Sequence, residues 1–408
     1  MNQARPRPSP ESVFRSLAFT RFWFAQGLSA LGDGVSGTAL PLLVFRLTGS
    51  AELLGFALAA GLLPLGVVGL VGGALADGFD RRSIMLAADL FRAAVLVALA
   101  VAVARNSLGV VAICLGMFAL SAASALFNGA ESAAVPFMVG KARAKAAYSA
   151  LGTTTRSISI LAQPLGAAIL GIAGPVAALV ANAASYGASF AAIGSIRSCG
   201  PQRTGAVDLT AVPRGIRDGA RFVRSDGTLA GLSLASCAFW FVGSVADTAR
   251  IPLLKGPLHA SDFAAGLFFG AVALGVVVGM AVAGVTRWPF GPAVVVAYAL
   301  QGFGDFLGSQ SPSLVAVTAA FALGGAAYGY IVVSRTAWMA RISPADKVGS
   351  VYGATTFLSM AGAFAGTVLA GPVTAALGPR VAIAAATAAF IGVALVLACI
   401  PSVRSERR

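Results

Sequence analysis

The sequence predicts an all-α membrane protein of about twelve transmembrane helices, arranged as two six-helix bundles. Three observations carry this. The 408 residues are 58% hydrophobic and only 11% charged, with a mean hydropathy of +0.85; a soluble domain has about 25% charged residues. The apolar residues recur in runs long enough to cross a bilayer, which takes roughly 20 residues of helix. The longest polar stretch falls in the middle, with six runs before it and six after.

The runs follow in order. The first, 17–45, leaves a Pro/Arg/Ser-rich start and carries Asp33 near its middle and Pro41 beyond it. The runs 52–76, 83–104, 109–132, 148–171 and 176–196 complete the first set, and the last of them opens just after Gly174-Pro175. The stretch 197–227 contains Pro201, Pro213 and six arginines, and reads as a cytoplasmic linker. The second set is 228–251, 262–285, 292–309, 314–340, 348–371 and 380–400. Continuous Ala/Leu/Val/Gly runs do not alternate as the roughly 10-residue strands of a membrane barrel do, so the spans are helices. The expected organisation is a cytoplasmic tail (1–16), a bundle (17–196), the linker, a second bundle (228–400) and a tail (401–408).

Charge sets the orientation. The net charge of +14 is spread over alternate loops rather than gathered on one face, which argues against nucleic acid. Most of the 29 Lys and Arg lie in the N-terminal segment, at Arg81-Arg82, at Lys141 to Lys145, in the linker, at Arg341 and Lys347, and in the tail. The opposite loops hold Arg46, Arg105, Arg250, Lys255 and Arg380. Basic residues favour the cytoplasmic side, so both termini are expected in the cytoplasm of a cell inner membrane. The first run is too long for a signal peptide. The four cysteines are scattered, without metal or disulfide spacing.

The two halves echo each other. Gly174-Pro175 and Gly378-Pro379 each precede an Ala-rich run, and Tyr148 and Tyr352 stand at the same offset. Such repeats mark carriers whose two bundles rock around a midplane site; chance in a low-complexity sequence is the competing reading. Gly266, Gly270, Gly275 and Gly279 in the eighth run, and Gly362 and Gly366 in the eleventh, suit helices that pack through small residues. Pro41, Pro164 and Pro252 can bend helices along a pathway, or serve as packing kinks.

Between the second and third runs stands Gly72-Gly73-Ala74-Leu75-Ala76-Asp77-Gly78-Phe79-Asp80-Arg81-Arg82. Asp77 lies at a helix end with Arg81 and Arg82 four and five residues on. Asp89 and Arg92 follow in the third run, about two turns further. A salt-bridge cluster at the membrane face is feasible, either as a latch that opens in another state or as a static anchor. The loop resembles the signature of the major facilitator superfamily, in which Gly73, Asp77, Arg81 and Arg82 occupy motif positions, and it falls where that family has it. Gly78 stands in place of the family's Arg, and Asp80 in place of its second Gly. The resemblance implies two six-helix bundles, a small-molecule substrate, no cofactor and transport by alternating access.

Three further stretches narrow it. Leu31-Gly32-Asp33-Gly34 with Ala39 to Leu43 resembles the first span of the subgroup that includes siderophore and macrolide exporters. Phe127-Asn128-Gly129-Ala130 with Ala133 to Pro136 resembles that subgroup's end of span four, with Gly129 where Pro is common. Ala162-Gln163-Pro164-Leu165-Gly166 is similar to the fifth-span motif of drug antiporters, with Gln163 in place of Gly.

Ionisable groups inside a membrane are costly and mark function. Asp33 is the most central acid. A carboxyl in a low-dielectric cavity favours its neutral form and can carry a proton, so Asp33 couples protons or contacts substrate, or else it merely positions its helix. Glu131 and Arg156, on successive antiparallel spans, are placed to pair. Arg335 is a buried cation for an anionic substrate or a distant acid. Asp247 and Arg250, one turn apart, read as a local pair, and Asp305 as a solvated acid near the outer end. Phe22, Trp23 and Phe24 read as interface anchors; Phe239 and Trp240 lie deeper and read as cavity-lining.

There is no Gly-x-x-x-x-Gly-Lys-Ser/Thr loop for ATP, no metal cluster and no nucleophile with its base, so an enzyme is not expected. The leading expectation is a monomeric proton-coupled exporter of a drug-like molecule or secondary metabolite. An importer or lysolipid flippase of the same fold, and a non-transporting sensor or scaffold, are the alternatives.

Overall fold

The computed structural model describes residues 13–197, 199, 217, 221–225, 227–286, 288–342 and 348–399. In lipid, every backbone N–H and C=O needs a partner within the chain, and a helix supplies it locally. Twelve long helices result among the described residues. The first six are α1 (Leu17–Thr48), α2 (Ala51–Gly78), α3 (Arg81–Ala104), α4 (Val110–Val139), α5 (Ala144–Ile172) and α6 (Gly174–Gly194). The rest are α7 (Gly227–Lys255), α8 (Asp262–Val285), α9 (Phe290–Gln310), α10 (Leu314–Ile342), α11 (Val348–Leu377) and α12 (Pro379–Cys399). Among the described residues, nine helices are long and apolar enough to cross a membrane, and apolar stretches of α2 and α12 are shorter.

The expected spans and the helices agree closely, and 262–285 coincides with α8. Three helices outrun their apolar segments past a proline: α4 continues past Pro136 to Val139, α7 past Pro252 to Lys255, and α11 past Pro372 to Leu377. Glu131-Ser132 and the prolines interrupt the sequence pattern without stopping the backbone. Glycine stops it instead. Gly140, Gly174 and Gly378, just after α4, α5 and α11, take φ of +82°, +81° and +78°. That left-handed region costs other residues about 1–2 kcal/mol, and it closes helix C-termini.

The internal echo has a structural counterpart. Gly174-Pro175 and Gly378-Pro379 share one build, a left-handed Gly followed by the Pro that opens the next helix. Packing repeats as well: α3 packs on α4 and α6 as α9 packs on α10 and α12, and α5 meets α6 as α11 meets α12.

The chain divides into two compact units. The first comprises residues 1–39 and 67–209, the second 40–66 and 210–408. The expected bundle boundary therefore differs at 40–66, the end of α1 and the first half of α2. In the second unit a Cβ on Gly371 of α11 would lie 2.7 Å from Glu52 Cα, an approach only a glycine permits. Arg46 and Lys255 there share the buried Asp262 in ion pairs.

The core of the first unit holds Phe19, Phe22, Met85, Phe127 and Leu151. Phe22 is thus interior rather than an interface anchor, while Phe24 is exposed and Trp23 donates its ring N–H to Thr154 Oγ1 at 3.1 Å. The second unit centres on Phe239, Tyr298, Trp338 and Phe390. Water cannot drive helices together inside lipid, so close packing does. A Cβ on Gly279 of α8 would sit 1.8 Å from Ala326 O of α10, and one on Gly329 would sit 2.1 Å from Val276 O. Gly362 and Gly366 of α11 meet Cys237 and Phe241 of α7 in the same way.

Candidate functional site

The first unit encloses a polar network, and Asp33 is placed in it by its neighbours in sequence. Gly32 faces α6: a Cβ there would lie 2.1 Å from Ser185 Oγ and 2.2 Å from Asn182 Oδ1. Gly34 faces α5, where a Cβ would lie 2.5 Å from Ala162 Cβ. Gly166 of α5 reciprocates against Val35, its Cβ position 2.4 Å from Val35 O. Two glycines thus draw α1 between α5 and α6 and fix the direction in which Asp33 projects. Helix packing surrounds the residue but leaves it accessible.

The Tyr186 hydroxyl of α6 donates to Asp33 Oδ1. The Arg92 guanidinium of α3 lies over the Tyr186 ring, 4.2 Å from its centre, and over the Phe127 ring of α4 at 4.7 Å. Arg92 is ion-paired with Asp89 one turn back, and its Nη1 donates to Ser124 Oγ at 3.3 Å. Asp89 is fully buried and Arg92 nearly so. Beside this chain, Gln26 Nε2 donates to Glu131 Oε2 at 2.7 Å. Asn182 Nδ2 donates to Ser36 Oγ at 2.8 Å, and its Oδ1 accepts from Ser185 Oγ at 3.0 Å. The network therefore holds three acids and one arginine within apolar helices, a set that can hold or pass a proton and can contact a polar substrate.

Several expected pairings take another form. Glu131 is engaged by Gln26, and Arg156 is exposed on α5, so their ion pair does not form among the described residues. Among the described residues neither Arg81 nor Arg82 pairs with Asp89, and Asp77, the other acid of the expected cluster, has its side chain outside them. Eight residues of helix separate Arg81 from Asp89 by about 12 Å, and Asp89 turns inward to Arg92. Arg81 lies instead over the Phe137 ring at 4.7 Å. Arg82 donates to the carbonyls of Ile193 at 3.4 Å and Gly194 at 2.5 Å, while Arg21 Nη1 reaches Ser195 O at 3.2 Å. Two cations thus meet the negative end of the α6 dipole. Gly73 and Asp77 stand in the last turns of α2, and their side chains lie outside the described residues. So do the residues of the linker other than 197, 199, 217, 221–225 and 227, and all of the tail 401–408.

Asp80 caps α3, its carboxylate accepting from Ser83 N at 3.0 Å. Burial opposes its charge, but hydrogen bonds from Ser83 and the Arg82 amide, with the Arg82 charge, hold the carboxyl below its ordinary range. Burial pushes the nearby Cys199 thiol up to about 11, Asp80 adding to the rise and Arg82 and Arg81 opposing it. A thiol so held is an inert filler.

Asn128 is exposed on α4 and Gln163 half-buried on α5. In the second unit, Arg335 Nη1 donates to Ser236 Oγ at 2.6 Å. Phe239 is 3% exposed and packed by Tyr298, Tyr328 and Phe390, which makes it core; Trp240 beside it is half-buried. Asp305 is 1% exposed, not solvated as its position suggested. A cavity of about 310 Å³ opens between α8, α9 and α10, lined by residues such as Val278, Val282, Leu300 and Leu323. Among the described residues its lining has no titratable group other than Tyr330, whose hydroxyl accepts from Thr286 at 3.3 Å.

Sequence reasoning missed Gln26, Ser124, Asn182 and Tyr186. Spacing was the available signal. Gln26 and Asp33 are seven residues apart, and Asn182, Ser185, Tyr186 and Ser189 recur at three and four, so each set forms a polar stripe on an apolar helix.

A family model described as transmembrane secretion effector matches residues 8–407. The chain is 28% identical over 396 residues to the multidrug efflux pump Tap of Mycobacterium tuberculosis (strain ATCC 25618 / H37Rv), covering 92% of this chain and 90% of that protein. It is 28% identical over 274 residues to macrolide efflux protein A of Streptococcus pyogenes, covering 64% and 66%. Among solved structures, a bacterial homolog of the human lysosomal transporter Spinster, inward-facing and occupied, superposes with a TM-score of 0.73 at 13% identity, covering 97% of each chain. A bacterial homologue of the iron transporter ferroportin, inward-facing, gives 0.70 at 12%, covering 92% and 98%. At such identities these two structures speak to the fold alone.

Proposed function

Because this chain belongs to the transmembrane secretion effector family of the major facilitator superfamily, we propose that it is a proton-coupled exporter of drug-like molecules or secondary metabolites. It is a multi-pass membrane transporter and not an enzyme. In the proposed arrangement it sits as a monomer in the inner membrane with both termini in the cytoplasm, and its bundles alternate access around a central path. One observation carries the coupling: the accessible Asp33 carboxyl stands at the head of a buried chain through Tyr186 and Arg92 to Asp89. A proton taken up by Asp33 removes its charge and weakens its bond with Tyr186. Arg92, stacked on that tyrosine, is then left to Asp89 alone, so that protonation is felt on α1, α3, α4 and α6 together. Glu131, bonded to Gln26 one heptad before Asp33, is the second candidate acid on this path.

Two relatives named for multidrug and macrolide efflux favour an outward direction and a lipophilic cargo. Arg82 on the α6 carbonyls supplies a gating contact in this scheme, broken in one state and made in another. The test is accumulation of lipophilic dyes and macrolides in cells expressing the chain. Expression should lower accumulation, an uncoupler should restore it, and Asp33→Asn should behave like the empty vector. Accumulation that is lowered equally with and without the uncoupler would remove proton coupling from the account.

A further inference from the structure

The coupling scheme leaves a second buried acid unused. Asp305 on α9 is 1% exposed, and neither of its carboxyl oxygens has a hydrogen-bond partner among the described residues. Gln301, one turn earlier on the same face of α9, is also buried, and its amide oxygen is likewise without a donor. Gly324 of α10 makes room for the carboxyl: a Cβ there would lie 2.8 Å from Asp305 Oδ1.

The cation facing Asp305 is already engaged. Arg250 of α7 holds Asp247 with Nη1 at 2.6 Å and lies over the Phe321 ring at 5.0 Å. Its Nη2 stops 3.7 Å from Asp305 Oδ1, beyond hydrogen-bond reach. One positive charge thus faces two acids, and one negative charge is left uncompensated. Exposure decides where that charge is worst tolerated: the Asp247 side chain is 63% exposed and the Asp305 side chain 2%. The first stands at the surface near the end of α7, while a charge on the second is shut away from solvent and has no donor among the described residues. Among the described residues, the other elements packed on α9 bring no second cation to it. Near Asp305, α10 presents Gly324 and Phe321; α12 presents Thr387 near Gly302, and its Arg380 is spent on Gln310 O at the end of α9 at 2.9 Å.

We infer that Asp305 is a second proton-binding site, in the second unit and separate from Asp33, which exchanges its proton with solution past Asp247 and Arg250. A proton arriving at the exposed Asp247 side adds to the Asp305 carboxylate and leaves Arg250 to Asp247 alone. Its loss returns Arg250 to both acids. A role in coupling rests on the proton-coupled reading above, whereas binding of the proton itself does not.

Infrared difference spectroscopy on the purified full chain in lipid nanodiscs, between alkaline and acidic pH, reads the carbonyl stretch of protonated carboxyls. The wild type should give a band from a buried acid that persists in Asp33→Asn and is lost in Asp305→Asn. Asp247→Asn leaves Arg250 to Asp305 alone and should weaken the band at a fixed acidic pH, in a protein whose core is untouched. A spectrum unchanged in both Asp305→Asn and Asp247→Asn overturns the assignment, whatever transport shows. A band lost in Asp305→Asn from a protein with no gradient-driven flux keeps the site and removes the transport reading instead.

Discussion

Arg92 shows what the buried network requires of its members. It neutralises Asp89, binds Ser124 and stacks on two aromatic rings. Removing one partner of a buried pair strands the other charge, at about 3–5 kcal/mol. Arg92→Ala should therefore cost that much in thermal or denaturant unfolding of the detergent-solubilised protein, and Arg92→Leu with Asp89→Leu should recover most of it. A double variant as unstable as the single would mean that the pair's value lies in the stacking. Asp33 was legible in the sequence because a central acid in an apolar run is rare and expensive. Its partners were not, since which faces meet depends on helix rotation. Tyr186 looks like any aromatic in an Ala-rich span until α6 is turned toward Gly32. The error over Asp305 has the same origin: depth along α9 can be counted, but burial by α10 through Gly324 cannot.

At the scale of the helix, glycine placement and capping do the specifying. Gly279→Val would push a side chain into the Ala326 carbonyl. Overpacking of this kind costs about 1–3 kcal/mol, so melting should fall and α8–α10 disulfide cross-linking through introduced cysteines should weaken. Gly378→Ala, with no neighbour in the way but a φ of +78°, should cost about 1–2 kcal/mol from backbone strain alone. Asp80 predicts a pH effect. Its folded-state value is lowered, so its contribution is complete above the unfolded value near 3.9 and is lost as pH falls through the folded one. Amide exchange in the first turn of α3 should accelerate below about pH 4. Asp80→Asn should keep the cap, because Asn is an equally good cap, and remove that acceleration. These contacts were partly readable. The small-residue pattern in the eighth and eleventh runs anticipated the close crossings, whereas the continuation of α4 past Pro136 did not follow from hydropathy.

At the scale of the molecule, hydropathy and charge carried most of what the sequence revealed. The membrane confines the backbone to helices, so runs and helices had to agree, and Gly174-Pro175 with Gly378-Pro379 exposed the repeat before any packing was visible. Residues 40–66 were not assignable in this way: nothing in their composition says that they pack with the second unit. The alternation of basic loops predicts that both termini face the cytoplasm. Cysteines introduced into the tail 401–408 should resist an impermeant maleimide in intact cells and react after lysis, and labelling in intact cells would invert the orientation.

The central claim is that Asp33 links proton movement to export. The most direct test is flux in proteoliposomes under an imposed pH gradient, with lipophilic cations, macrolides, siderophores and lysolipids as cargo. The account predicts gradient-driven flux of at least one lipophilic cargo, which Asp33→Asn loses while keeping wild-type melting. Flux indifferent to both the gradient and the substitution would contradict it and describe a passive facilitator.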